Sequence, residues 1–139
     1  MTIQEIQDEI VEEFSLLDDW LQRYEHLIQL GKHLPLLDER YKTDEYLIKG
    51  CQSRVWLHAQ VLDGKMQFEA DSDSVLTKGM IALLVRAFSN QPAEEILKAD
   101  ASFVDKIGLR DHLSPTRANG LLSMFKQIKM HAMESVAQG

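Results

Sequence analysis

The thiol chemistry open to this chain rests on one residue. Cys51 is its only cysteine, and it sits in the stretch YLIKGCQSRVWLHAQV (46–61), with Gly50 before it and Gln52 and Ser53 after it. A free cysteine is often a small buried hydrophobe. Here a glycine at a loop-to-strand junction lets the backbone turn sharply, and the polar neighbours differ from the apolar flanks of a core cysteine. An ordinary thiol with a pKa of about 8.5 is only about 3% ionised at pH 7. A working nucleophile therefore needs positive charge or N–H donors nearby, and Arg54 is the nearest candidate in sequence.

The other reactive types form no comparable pattern. Histidines stand at 26, 33, 58, 112 and 131, with no CxxC or HExxH, so the spacing of a zinc or iron–sulfur site is missing. His58 lies seven residues beyond the thiol, roughly 23 Å along an extended chain, which is too far for a thiol–imidazole pair; His112 could approach only through the fold. Asp71 and Asp73 read as helix-start residues. Trp56 alternates onto the face opposite Val55 and Leu57, beside Arg54 and His58. There it either stacks under Arg54 or serves as an exposed anchor for a partner.

These residues need elements to position them. Residues 3 to 31 carry apolar side chains at helical spacing (Ile3, Ile6, Ile10, Phe14, Leu17), with Thr2 and Glu5 spaced as a capping box. Asp18-Asp19 can restart the pattern, giving two helices or one bent helix closed by Gly31 and Pro35. Val55, Leu57, Ala59 and Val61 alternate as a strand, Asp63-Gly64 is a type I′ turn signal, and Met66, Phe68 and Ala70 return. A third strand is expected around Tyr46 to Lys49. Next, Asp71, Ser72 or Asp73 can cap a nearly all-apolar helix through Phe88, which predicts a central, buried element. Gly79 costs that helix about 1 kcal/mol against alanine, offset by close packing on the sheet. Two short helices follow, from Pro92 and from Ser102 to Gly108. Ser114-Pro115 opens a C-terminal helix. The expected architecture is one α+β domain spanning 1–139, with a small antiparallel sheet of about three strands covered by helices on its Val55/Phe68 face.

Composition agrees with a globular chain: 139 residues, 45% hydrophobic and 27% charged. The formal net charge of −7 disfavours nucleic acid and anionic membranes as partners. The acidic start MTIQEIQDEIVEEF lacks the features of a secretory or transit signal. One cysteine makes no internal disulfide, and a reducing, cytoplasmic setting is expected.

Three blocks in order, GCQSRVWL (50–57), DSDSVLTKGMIALL (71–84) and HLSPTRANGL (112–121), resemble the SufE family of sulfur-acceptor proteins, over roughly residues 20 to 132. The resemblance implies a single α+β domain similar to IscU-type iron–sulfur scaffolds. It also implies an activity: taking persulfide sulfur from a PLP-dependent cysteine desulfurase of SufS type, stimulating that enzyme, and delivering sulfur to a SufBCD-type cluster scaffold. The chain itself is then no enzyme and binds no cofactor, the PLP being the desulfurase's. Cys51 matches the sulfur-accepting cysteine; Gly50, Gln52 and Ser53 match its loop, Val55 and Trp56 the start of the next strand, and Arg117 the arginine of the SPTR block. With Arg54, the loop residues and Trp56 would face the docking partner. Arg117 would steady the sulfur anion or meet the donor, against the plainer reading of a helix-start residue paired with a carboxylate. Tyr46 stands where many relatives have asparagine, and Ser114 and Thr116 exchange the family's usual Thr and Ser. A single thiol suits a carrier, because a neighbouring cysteine would attack the persulfide and release sulfide. The competing readings are a regulatory binder that stimulates a desulfurase without accepting sulfur, and a free-standing thiol enzyme.

Overall fold

The computed structural model describes residues 1–138. Helix α1 (Ile3–Ser15) starts at the expected capping box, where Thr2 Oγ1 accepts from the Glu5 N–H at 3.1 Å and Glu5 Oε1 accepts from the Thr2 N–H at 3.0 Å. Asp19 then accepts from the Gln22 N–H at 2.9 Å and opens α2 (Trp20–Lys32) as a separate helix. Gly31 lies inside the last turn of α2 and is buried; it does not end the helix, and its role is a contact described below.

Strands β1 (Val55–Leu62) and β2 (Lys65–Ser72) pair antiparallel, with Leu57 opposite Ala70 and Ala59 opposite Phe68. Asp63 and Gly64 both have positive φ, 53° and 77°, as a type I′ turn demands. Val55, Leu57, Met66, Phe68 and Ala70 face the core. The expected third strand shrinks to one bridge, Leu47 to Trp56, secured by the Ile48 N–H donating to Val55 O at 2.9 Å. A 3₁₀ turn at Asp44–Tyr46 and the positive φ of Gly50 (90°) bend the chain away on either side, so no further pairs form and the sheet has two strands.

Helix α3 (Val75–Phe88) is capped by Ser74, not by Asp71, Ser72 or Asp73, and ten of its residues are buried. It packs against α2 as well as β2, and Gly79 meets the α2 backbone rather than the sheet. The short helices α4 (Ala93–Lys98), α5 (Phe103–Lys106) and α6 (Leu109–His112) lead to α7 (Pro115–Gln138), whose first turn Ser114 caps by accepting from the Arg117 N–H at 3.3 Å. All these elements share one hydrophobic cluster, from Ile3 to Ala132.

The outer face of the sheet is crossed by a strap containing Glu39–Tyr41 and Asp44–Tyr46. The Tyr41 ring stacks on His58 with centroids 3.8 Å apart, and Tyr46 meets both rings edge-on. Asp71, on β2, is only 7% exposed and accepts from Lys42 at 2.9 Å and Lys78 at 3.3 Å. Burial pushes its carboxyl toward the neutral form, but Lys42, the Ser72 N–H and Lys78 outweigh it and hold the group below the usual carboxylate range. This strap is the chain that runs into Gly50 and Cys51. Tyr46 anchors it through ring contacts with Tyr41 and His58.

Candidate functional site

Cys51 lies on the bend between the strap and β1. Its side chain is half-buried, with Sγ 3.6 Å from Gly120 O, to which the thiol can donate. A cavity of about 10 Å³, near the size of one water, is lined by Cys51, Gln52, Ser53, Thr77, Met80, Thr116, Arg117, Gly120 and Met124. Three elements therefore build it: the bend, the start of α3 and the start of α7. The α7 wall follows from helical spacing, since residues 116, 117, 120 and 124 share one face.

The bend is held at both ends. A Cβ on Gly50 would come within 2.5 Å of Ser123 Oγ, so the glycine lets the backbone lie flat on α7. Downstream, Asp73 Oδ1 accepts from the Arg54 N–H at 3.1 Å, while Arg54 O accepts from the Asp73 N–H at 3.2 Å and from Ser72 Oγ at 2.8 Å. The DSDS run thus does more than start a helix. Ser74 caps α3, and Asp73 clamps the end of the bend.

The sequence-predicted residues divide into two groups. Cys51, Gln52, Ser53 and Arg117 meet at the cavity; Arg54 and Trp56 do not line it. Arg117 is exposed and makes no ion pair among the described residues, so the carboxylate partner of the plainer reading is missing. Trp56 is partly exposed on the outer face of the sheet, opposite Asp71, with no cation stacked on its ring among the described residues. Neither histidine considered as a base reaches the thiol. His58 pairs with Glu69 and Tyr41, and His112 stacks on Trp20 at 4.3 Å. Sequence reasoning missed Thr77, Met80, Gly120 and Met124 as cavity walls. Gly120 left a signal, a glycine inside a helical pattern.

With no cation bonded to it among the described residues, the thiol is governed by desolvation, and burial pushes it above its ordinary pKa. The resting sulfur is therefore neutral at pH 7. Alkylation of Cys51 by iodoacetamide, followed by intact mass, is expected to run slower at pH 7 than that of free cysteine. Its rate should keep climbing with pH beyond the ordinary thiol midpoint, because only the thiolate reacts. A midpoint at or below the free-thiol value would mean that positive charge, not burial, dominates the site.

The described residues contain no group of three His, Cys, Asp or Glu side chains arranged for a metal ion, and no helix long and apolar enough to cross a membrane. The fold matches the solution structure of a hypothetical protein from Thermus thermophilus, with a TM-score of 0.79 over 95% of this chain and 96% of that one, at 19% identity. An uncharacterised SufE-like protein of Rhizobium meliloti is 43% identical over 130 residues, covering 90% of this chain and 93% of its own length. The SufE-like protein 1 of Arabidopsis thaliana, designated chloroplastic/mitochondrial, is 42% identical over 132 residues, which is 94% of this chain and 36% of that protein. The family model described as "SufE: Fe-S metabolism associated domain" matches residues 8–132. A match over most of the chain, with Cys51, the α3 start and the SPTR turn all inside it, leads to one conclusion: the protein belongs to the SufE family and has a role in iron–sulfur metabolism.

Proposed function

We propose that the protein accepts persulfide sulfur on Cys51 from a PLP-dependent cysteine desulfurase of SufS type, stimulates that enzyme by clearing its product, and passes the sulfur on to a SufBCD-type cluster scaffold in the cytoplasm. The observation that carries this reading is the placement of the chain's only thiol. It stands half-buried on a bend, over a small cavity, with a guanidinium at the rim that makes no ion pair among the described residues and no histidine in the cavity lining.

The chemistry is exchange. Cys51 as thiolate attacks the terminal sulfur of the donor's persulfide, one S–S bond forms as another breaks, and the donor cysteine leaves as thiolate. No cofactor is needed in this chain; PLP stays with the donor. Both sides hold one S–S bond, so the step is near balance and consumption downstream sets its direction. Burial keeps the thiol neutral at rest, so ionisation accompanies a displacement of the bend. Docking of the desulfurase supplies that displacement, and Arg117 then lies close enough to favour the anion. The contacts to be broken are few: Sγ to Gly120 O, Gly50 on Ser123, and the Asp73 clamp. Gln52, Ser53 and Arg54 present the bend to the partner, and Trp56 supplies an apolar anchor beside it.

The test is the mass of the protein after incubation with a SufS-type desulfurase and L-cysteine. Gain of one sulfur atom, located on Cys51 by peptide mapping, supports the reading. Stimulation of the desulfurase with no sulfur gained would replace it by a regulatory binder. Turnover of a substrate without any partner would indicate a thiol enzyme.

A further inference from the structure

We propose that Gly120 is kept without a side chain so that Cys51 can hold a second sulfur atom, making it the residue that gives the loaded form its room. The inference rests on the sulfur-acceptor reading above and deepens it.

A glycine inside a helix lowers stability against alanine, and three of the chain's glycines, at 31, 79 and 120, stand in helices. Two are explained by packing. A Cβ on Gly31 would come within 2.8 Å of the Gly79 backbone N, and a Cβ on Gly79 would run into the Leu27 carbonyl, with its carbon at 2.9 Å. Gly120 is different. It is buried near the start of α7, yet the three atoms nearest an added Cβ all belong to Cys51, with Sγ at 3.7 Å, Cα at 3.8 Å and Cβ at 3.9 Å. Those are ordinary van der Waals contacts, and its φ is not in the left-handed region. Neither backbone geometry nor the thiol form requires glycine here.

What a methyl at 120 would remove is free space against the sulfur. Loading extends Cys51 by one atom: the thiolate takes the terminal sulfur of a donor persulfide, Cys51–S–SH forms, and the donor leaves as thiolate. The new bond reaches about 2.05 Å beyond Sγ. The cavity of the thiol form, about 10 Å³, holds little more than a water. Extra room must come from its walls. Met80 and Met124 can change rotamer, and the surface of Gly120 leaves open the volume that an alanine methyl would fill. A methyl there tolerates the thiol and overpacks the persulfide, which forces the bend outward and exposes the sulfur to cytosolic thiols.

The experiment uses the full-length protein, wild type and Gly120→Ala, loaded by a SufS-type desulfurase with L-cysteine, desalted, and exposed to glutathione while intact mass is followed. The variant is expected to melt at the wild-type temperature or above and to keep the wild-type pH profile of alkylation in the thiol form. Its persulfide is expected to be lost on the order of tenfold faster, or its loading to fall by a similar factor; Gly120→Ser should fall at least as far. Loading and retention equal to wild type would overturn the inference while leaving the acceptor reading intact. A lower melting temperature, or an altered alkylation profile of the unloaded form, would assign the glycine to packing and overturn it equally. Failure of wild type to gain sulfur would remove the acceptor reading itself, and the inference with it.

Discussion

Replacing Cys51 with serine is expected to reduce sulfur uptake to background while leaving fold and docking in place. A hydroxyl can still donate toward Gly120 O, the acceptor of the thiol, so the bend keeps its seat. The position is half-buried and packs against the cluster only from its edge, so the stability change should stay within about 1 kcal/mol. Reactivity does not survive the exchange. A serine hydroxyl is essentially un-ionised at neutral pH, and no histidine lines the cavity to act as its base. The desulfurase would then retain its persulfide, and stimulation by this protein should disappear while co-purification with the enzyme persists. Stimulation that survives in Cys51→Ser would move the protein to the regulatory class. A variant that neither docks nor folds would show instead that the thiol is a packing residue.

How far the sequence foretells this site depends on the range of the signals. The hairpin is legible because period two and Asp63-Gly64 are both local, and both turn residues adopt the positive φ that the pair predicts. The capping box of α1 and the Ser114-Pro115 start of α7 are legible for the same reason. Strand pairing around Tyr46 to Lys49 falls short of its pattern. The apolar residues there fit a strand, but pairing length is set by where the chain turns, and Asp44–Tyr46 and Gly50 leave one bridge. The surplus of capping residues in DSDS hides a division of labour: Ser74 caps the helix, whereas Asp73 ties the bend and Asp71 receives two lysines from elsewhere. At the site, the thiol and its loop can be read from types and neighbours. Thr77, Met80, Gly120 and Met124 cannot, because they reach Cys51 across 26 or more positions of chain, and only packing reveals that.

The two remaining helical glycines carry the second large effect. Gly79→Ala is expected to destabilise the protein by about 3 kcal/mol or to prevent folding, in contrast to Gly120→Ala, whose melting temperature is expected to stay at or above that of wild type. At residue 79 the added methyl would enter the Leu27 carbonyl, with Leu27 C at 2.9 Å and Leu27 Cγ at 3.0 Å, and on the facing helix Gly31 approaches the same backbone. The two nearest obstructing atoms, the carbon and oxygen of the Leu27 carbonyl, are main chain, so no rotamer change relieves them. Relief requires α2 to move off α3, which breaks contacts of Leu27, Met80 and Leu83, all nearly fully buried. The gain in helix propensity from glycine to alanine, about 1 kcal/mol, is too small to offset this. Urea unfolding of Gly79→Ala, Gly31→Ala and the double variant measures it. Because both methyls push on one gap, the double variant should lose less than the sum of the singles. The effect reaches the site as well, since Thr77 and Met80 on the same stretch of α3 form walls of the Cys51 cavity, so a surviving Gly79→Ala protein should alkylate faster at pH 7 than wild type. Stability within about 1 kcal/mol of wild type would mean that the two helices part easily and that the close approach of Gly31 and Gly79 does not hold α3 in place.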